Sequence, residues 1–406
     1  MTGNAPAERA VSLQDPGRGD GPGSDDPGAD SSSDQGNAGQ RRIPGLPPIP
    51  GLKGSPQPLS EHYDAALLDL DGVVYLGGHP IPGAADALVA AAKRGMKLAY
   101  VTNNASRSPN AIAAQLSAMG VPATAADVVT SAQAAARVLA AELPAGAPVL
   151  VVGGTGLRLA VRARGLRPVT TAAERPLAVV QGYSHDITYG LLAEATLALN
   201  AGAFYVASNA DPTLPTPRGE QPGNGSLVQV LVHATGREPV VAGKPEPPLH
   251  AESVQRVGAK RPVIVGDRLD TDIEGAVRAG TDSLLVLTGV TRPAELLLAG
   301  PLHRPSYVAE DLAGLNVSHP EITSDGGRFG CGGWTAAVTG AADGSGSRPH
   351  GAGDAGGWLA ISGSGSWIDG LRALCAAAWS ARPPAGSQQD QRQAAEAAIG
   401  AIGPAG

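Results

Sequence analysis

From Tyr63 onward, short apolar runs alternate with Ala-rich stretches of helical length, and several of these runs stop on a polar residue. A run of four to six apolar residues followed by 10–15 residues of helical pattern is the signature of βαβ units. Such units can only close as a largely parallel sheet flanked by helices. The spacing predicts strands over 65–70, 98–102, 262–266 and 283–288, with helices over 83–94, 108–119 and 272–279. Between these blocks lies a second α/β pattern. It predicts helices over 131–143, 155–164, 189–201 and 226–235, and strands over 149–152, 177–181 and 204–207. We read 59–126 and 241–317 as one discontinuous domain, with 127–240 inserted into it.

The flanks differ in texture. Residues 1–58 are rich in Gly, Pro, Ser and Asp and carry no aliphatic pattern. Such a segment buries too little apolar surface to offset its ordering entropy, so it is expected to be a disordered tail. Its end, 43-IPGLPPIPGLKGSPQP-58, has the composition of a polyproline ligand as well as of a solvated tail. Residues 328–382 form a small unit, with WTAAVTG and GWLAISG as strands and a helix over 367–379 of period near 3.6. The Gln- and Ala-rich end, 383–406, is expected to fray.

Composition narrows the function classes. A net charge of -7 speaks against a nucleic-acid partner. The two cysteines, Cys331 and Cys375, have no CxxC or His partner spacing, which suits a reducing compartment and no metal-thiolate site. No apolar run reaches the roughly 18–20 residues of a membrane span, and the first residues lack the apolar core of a signal peptide. The expected location is the cytoplasm.

The chemistry sits at the strand ends. In 64-DAALLDLDGVVYLGG-78, Asp69 and Asp71 are two apart and share a face if the strand continues through them. Two close carboxylates repel, and a hard cation such as Mg²⁺ relieves the repulsion. The next strand runs into Thr102, Asn103 and Asn104. A strand-like segment at 240–242 runs into Gly243 and Lys244. The run 263–265 leads into 266-GDRLDTDI-273, with Asp267, Asp270 and Asp272. In open α/β sheets ligands bind at the carboxyl ends of the strands, so these groups should converge. Carboxylates, neutral donors and a Lys suit the positioning and neutralisation of a phosphoryl group.

Taken in order, DLDG, VTNN, GKP and GDRLDTDI resemble the four motifs of the haloacid dehalogenase superfamily of Mg²⁺-dependent phosphatases. An insertion between the second and third motifs resembles subclass IIA, which includes pyridoxal, phosphoglycolate and nitrophenyl phosphatases. The likeness covers about 60–315. The stretches 102-TNNASRS-108, 128-VVTSAQ-133, 210-ADPTLPT-216 and 223-GNGS-226 are similar to those of the actinobacterial D-glycerol-3-phosphate phosphatases, which also carry a C-terminal appendage. The resemblance implies an α/β fold: a Rossmann-like core, an inserted α/β cap of the C2 type and a small C-terminal α+β appendage.

It also implies roles. Asp69 would attack phosphorus and form an aspartyl-phosphate, and Asp71 would act as acid and then base. Mg²⁺ would be held by the Asp69 carboxylate, the Asp71 main-chain carbonyl and Asp267. Thr102 and the region of Asn103 and Asn104 would hold phosphoryl oxygens. Lys244 would neutralise Asp69, and Asp272 would orient Lys244 or a metal-bound water. Asp270 reads as a solvated or capping residue.

Specificity is expected from the cap lip, 207-ASNADPTLPTPRGEQPGNG-225, where Asn209, Asp211 and Thr213 either hydrogen-bond a polyol or only fix the loop. Arg218 would either meet an acidic group or, like them, only fix the loop. The absence of aromatics from this stretch favours a small polyol over a pyridine ring. The expected partner is thus a small phosphorylated metabolite, D-glycerol 3-phosphate first and phosphoglycolate or pyridoxal 5′-phosphate next. The resemblance also allows a homodimer joined through the cap.

Two features suggest other chemistry and are set aside. The stretch 149-VLVVGGTGLRLAV-161 lacks the full GxGxxG spacing and reads as a tight βα turn. His185 has no second ligand at metal spacing and reads as a surface residue. The reading from another class is a catalytically silent binding or regulatory protein.

Overall fold

The computed structural model describes residues 51–216, 218–339 and 358–403. Most of the tail expected over 1–58, including the Pro-rich stretch up to Pro50, lies outside the described residues. Residues 51–58 differ from the expectation. The Lys53 N–H donates to Ser306 O at 2.8 Å, Lys53 Nζ pairs with Asp282 at 2.7 Å, and Ser55 forms a β-bridge with His319. Composition cannot reveal this anchoring, because the partners lie far along the chain, at Asp282, Ser306 and His319.

The central sheet has six parallel strands in the order Tyr307–Ala309, Asp282–Val286, Pro262–Gly266, Ala65–Leu68, Lys97–Thr102, Val128–Thr130. Its middle strands are buried on both faces, which is why they read as continuous apolar runs rather than alternating ones. The chain order reverses at Ala65–Leu68. That strand's carboxyl end opens the crevice where such sheets bind ligands.

A second parallel sheet, ordered Val240–Val241, Phe204–Ala207, Ala178–Gln181, Pro148–Val152, Arg167–Val169, is built from the insertion and extends one residue past its expected end at 240. The insertion begins later than 127. Val128–Thr130 pairs with Tyr100–Thr102 in the central sheet. Thr130 then caps the helix Ser131–Glu142, which packs on the core helix Pro247–Val257. Alternation alone could not assign that three-residue strand to one sheet or the other. The lip expected as a loop over 207–225 contains a hairpin, Thr213–Thr216 paired with Gly219–Pro222.

The C-terminal unit is larger than 328–382. Four antiparallel strands, Thr323–Asp325, Arg328–Cys331, Trp334–Val338 and Leu359–Gly363, are packed by the helix Trp367–Ser380. The end expected to fray is instead a helix, Gln388–Gly400. Ser387 and Asp390 form a capping box at its start, and Ala395, Ala398 and Ile402 are buried. Small Ala side chains gave little hydrophobic signal, yet they allow close helix packing.

Leu371, Leu374 and Cys375 share one apolar cluster with Ile273, Leu285 and Val308 of the central sheet's side. The unit therefore has no separate core, and each buried Leu stabilises the joint by about 1.5–3 kcal/mol. Both cysteines are free and buried. Among the described residues no helix is long and apolar enough to cross a membrane.

A buried polar link crosses this joint. Arg372, from the Trp367–Ser380 helix, donates to Val308 O at 2.6 and 3.1 Å, to Asp369 at 2.7 Å and to His319 Nδ1 at 2.6 Å. His319 Nε2 donates to Gly314 O at 2.8 Å. Burial first, and the guanidinium second, push the His319 pKa from 6.5 down to about 4. The folded chain thus refuses a proton that the unfolded chain accepts near 6.5. Stability is lost as pH falls from 6.5 towards about 4, by about 3 kcal/mol across that window. Urea midpoints taken near neutrality and at about pH 4.5 should differ accordingly. His319→Gln should shrink that difference, and an unchanged difference would remove this explanation.

Candidate active site

Four strand ends meet in the crevice. Asp69 directly follows Ala65–Leu68, and its N–H continues the ladder by donating to Val265 O at 2.8 Å. Asp267 directly follows Pro262–Gly266 and is fully buried. Asp272 lies in the single π-helical turn Leu269–Ile273 and is also buried. Lys244 arrives from the insertion's return, after Val240–Val241. Its Nζ lies 2.5 Å from Asp69 Oδ1 and 2.7 Å from Asp272 Oδ1.

Carboxylate oxygens of Asp69, Asp267 and Asp272 all lie within 4.8 Å of one another. One ammonium cannot neutralise three carboxylates. Burial, then Asp272 and Asp69, raise the Asp267 carboxyl to about 7. Burial raises Asp69 to about 6, with Asp272 adding to the shift and Lys244 opposing it. For Lys244 burial favours the neutral amine, but Asp272 and Asp69 outweigh it and hold the pKa above the ordinary value.

The residues fit a hard divalent cation. Asp267 Oδ2 accepts from the Val290 N–H at 2.7 Å. Its Oδ1 is buried without a protein partner, so a cation would satisfy an atom the fold leaves bare. Two glycines make room beside it. A Cβ at Gly72 would lie 2.4 Å from Asp267 Oδ2, and one at Gly289 would lie 2.0 Å from it. Gly72 also has φ +85°, in the left-handed region.

Not every expected residue joins this cluster through its side chain. Asp71 is exposed, and its carboxylate accepts from Gly77 N–H at 3.3 Å. Asp270 is exposed and paired with Arg268 at 2.9 Å. Thr102 is buried at the end of its strand, where Oγ1 accepts from Asn104 N–H at 3.1 Å. The side chain of Asn104 is taken up locally, accepting from Ser106 N and Oγ at 2.9 Å and from Arg107 N at 3.2 Å. Its Oδ1 caps a turn.

Asn103 is a strut. Its Oδ1 accepts from Lys244 N at 2.8 Å, and its Nδ2 donates to Lys244 O and to the Asp211 carboxylate, each at 3.2 Å. Asn209 is buried, and its Nδ2 donates to Asn103 O at 2.7 Å. The side chains of Asn103 and Asn209 thus fix the insertion against the core, and the Asp211 carboxylate sits in the same network. Burial raises the Asp211 pKa, against the Asn103 hydrogen bond. Thr213 and Arg218 lie exposed on the hairpin. His185 is exposed and contacts Tyr183, with Nδ1 3.1 Å from its OH and the two rings edge to face.

The Gly-rich turn 153–156 has a packing use. Gly156 N–H donates to Ser106 O at 3.1 Å, and a Cβ there would lie 2.7 Å from Ala105 O and Arg107 O. Glycine lets the insertion's helix Thr155–Ala163 meet the core loop backbone to backbone.

Sequence reasoning missed a fifth strand end. Asp282–Val286 leads into Thr288, Gly289 and Val290, which wrap Asp267. The signal was present, since 287-LTGV-290 ends an apolar run with a hydroxyl and a glycine like the other motifs. Tyr75 was missed as well. Burial, then Asp69 and Asp71, raise its phenol to about 12, which marks it as a neighbour of both acids.

A parallel sheet whose crevice gathers three carboxylates, two of them paired with one lysine, suits a hydrolase that handles doubly charged oxyanion groups. Comparisons with known proteins fix the family. The description haloacid dehalogenase-like hydrolase matches residues 66–167, and HAD-hydrolase-like matches 241–315. The chain is 52% identical over 258 residues to the D-glycerol 3-phosphate phosphatase of Mycobacterium tuberculosis, covering 64% of this chain and 72% of that one. It is 38% identical over 254 residues to the acid sugar phosphatase of Staphylococcus saprophyticus, covering 62% and 96%. Among solved structures, the glycerol phosphate phosphatase of M. tuberculosis in complex with magnesium superposes with TM-score 0.72 at 41% identity, covering 86% and 99%. The chain belongs to the haloacid dehalogenase-like hydrolases. Its cap, inserted between the second and third motifs, is of the subclass IIA type.

Proposed function

We propose that this chain hydrolyses a small phosphate monoester, D-glycerol 3-phosphate above all, through an aspartyl-phosphate on Asp69. It is a phosphoric monoester hydrolase of the haloacid dehalogenase family. The carrying observation is Lys244 Nζ held between Asp69 and Asp272, beside the bare oxygen of Asp267. In this reading Asp69 attacks phosphorus in line and the leaving alkoxide departs opposite. Asp71, exposed above the buried cluster, gives that alkoxide a proton and later takes one from the attacking water. Lys244 keeps Asp69 ionised despite its burial and offsets negative charge on the phosphoryl oxygens. Asp272 holds the ammonium in place. Thr102 and the main chain after it receive the phosphoryl group.

Asp69, Asp267 and the Asp71 main-chain carbonyl would hold Mg²⁺, which supplies charge neutralisation at the phosphoryl group when bound. Asn103 and Asn209 are positioning residues in this scheme, because their side chains are committed to the seam between core and cap. The cap closes the site against bulk water and selects the alcohol. The polar lip, without an aromatic between 207 and 225, and the identity to the M. tuberculosis enzyme support a small polyol. The unpaired buried cysteines agree with a cytoplasmic setting.

A panel of phosphate esters ranked by kcat/KM with Mg²⁺ tests this reading. D-glycerol 3-phosphate is expected to lead phosphoglycolate, pyridoxal 5′-phosphate and p-nitrophenyl phosphate. A chelator should silence turnover and added Mg²⁺ should restore it. Another ester leading by tenfold or more would overturn the substrate assignment, and turnover unaffected by chelation would overturn the metal.

A further inference from the structure

The segment 287–291 belongs to none of the four motifs, yet it touches two of them. It is held at its base, where Leu287 N–H donates to Ala309 O at 3.2 Å and Leu285 stands in register with Gly266. From there it folds over Asp267. Val290 N–H donates to Asp267 Oδ2 at 2.7 Å, and Thr291 N–H donates to Asp267 O at 3.1 Å. Gly289 lies so close that any side chain would collide with that carboxylate. Taking up Oδ2 leaves Oδ1 as the one bare carboxylate oxygen of Asp267.

The same segment reaches across to the first motif. Thr288 Oγ1 donates to Gly72 O at 2.5 Å, over a sequence separation of 216 residues. Gly72 is the residue after Asp71, and Gly72 N–H donates to Tyr75 O at 2.7 Å. One hydroxyl therefore ties the turn that bears the Asp71 carbonyl to the loop that grips Asp267. Mg²⁺ demands near-ideal octahedral geometry, so a carbonyl ligand on a glycine turn needs to be held in place. Partners behind the ligands usually set metal affinity by 10–100-fold.

We propose that Thr288 is a positioning residue that sets the Mg²⁺ affinity of this site by locking the Asp71–Gly72 turn against the loop that orients Asp267. It touches neither substrate nor reacting atoms. The inference rests on the metal-dependent reading above.

Mg²⁺ titration of the full chain by calorimetry, wild type beside Thr288→Val and Thr288→Ser, tests it. Valine keeps the shape and removes the donor; serine keeps the donor. Thr288→Val should raise the Mg²⁺ Kd about tenfold, with an unchanged unfolding midpoint in chelator and with kcat recovered at saturating Mg²⁺. Thr288→Ser should return Kd to within about twofold of wild type. A Thr288→Val Kd equal to wild type, or a serine variant as weak as the valine one, overturns the proposal. A lowered midpoint without a change in Kd overturns it too. A wild-type chain that takes up no Mg²⁺ removes the metal-dependent reading itself, and the proposal with it.

Discussion

Asp69→Asn is expected to abolish turnover, lowering kcat by at least about 10⁴-fold, while leaving the chain folded. The two side chains have the same shape. The Asp69 N–H bond to Val265 O is main chain and survives. What disappears is the anionic oxygen that would attack phosphorus, and an amide cannot replace it. The fold has little reason to weaken. Asp69 shares Lys244 with Asp272, and its carboxyl is already raised to about 6, first by burial and then by Asp272, with Lys244 opposing. Removing one of three crowded carboxylates leaves Lys244 paired with Asp272. The unfolding midpoint in chelator should therefore not fall by more than a few degrees. Steady-state rates and a thermal scan on the same preparation check both halves. Retained turnover would refute the nucleophile assignment.

Replacing Lys244 by Met should damage both activity and fold. The side chain is 5% exposed and forms the only charge bridge between Asp69 and Asp272 among the described residues. Methionine fills the space, so cavity formation is a minor part of the effect. The two carboxylates would face each other in a desolvated cleft without their counter-ion. Breaking a buried pair in this way costs about 3–5 kcal/mol, unless the acids take up a proton and lose their function. The phosphoryl charge would lose its neutralising partner as well, for about 10³-fold in kcat. Denaturant midpoints in chelator and kcat with Mg²⁺ should both drop. A variant of wild-type stability and rate would show that the ammonium is dispensable.

Much of this architecture was legible in the chain. Continuous apolar runs such as Pro262–Gly266 announced strands buried on both faces, and the polar residue closing each run marked the crevice. That logic reached Asp69, Lys244, Asp267 and Asp272 because strand ends of a parallel sheet converge whatever the loops do. It did not reach the use of each side chain. Asn103 read as a ligand group, and Asn209 as either a ligand group or a loop tie, because their chemistry suits both uses. Only geometry shows the side chain of Asn103 spent on Lys244 and Asp211, and that of Asn209 on the Asn103 carbonyl. Asp71 likewise belongs to the first motif in sequence, while its carboxylate stands outside the buried triad.

The boundaries failed for a related reason. Val128–Thr130 is three residues of strand pattern, too short to declare its sheet. The helix Gln388–Gly400 buries mainly alanines, whose hydrophobic signal is faint. Lys53 and Ser55 are held by partners more than 200 residues away that no composition encodes.

The central claim is that the Asp69 carboxylate, charged and aimed beside Lys244, becomes covalently phosphorylated during turnover. Quenching the full-length enzyme in acid within one turnover of D-glycerol 3-phosphate and mapping the peptides by mass spectrometry tests this directly. A phosphoryl adduct on the Asp69 peptide, absent from Asp69→Asn, is the predicted result. Phosphate released at the wild-type rate with no adduct at Asp69 on any timescale faster than turnover would contradict it.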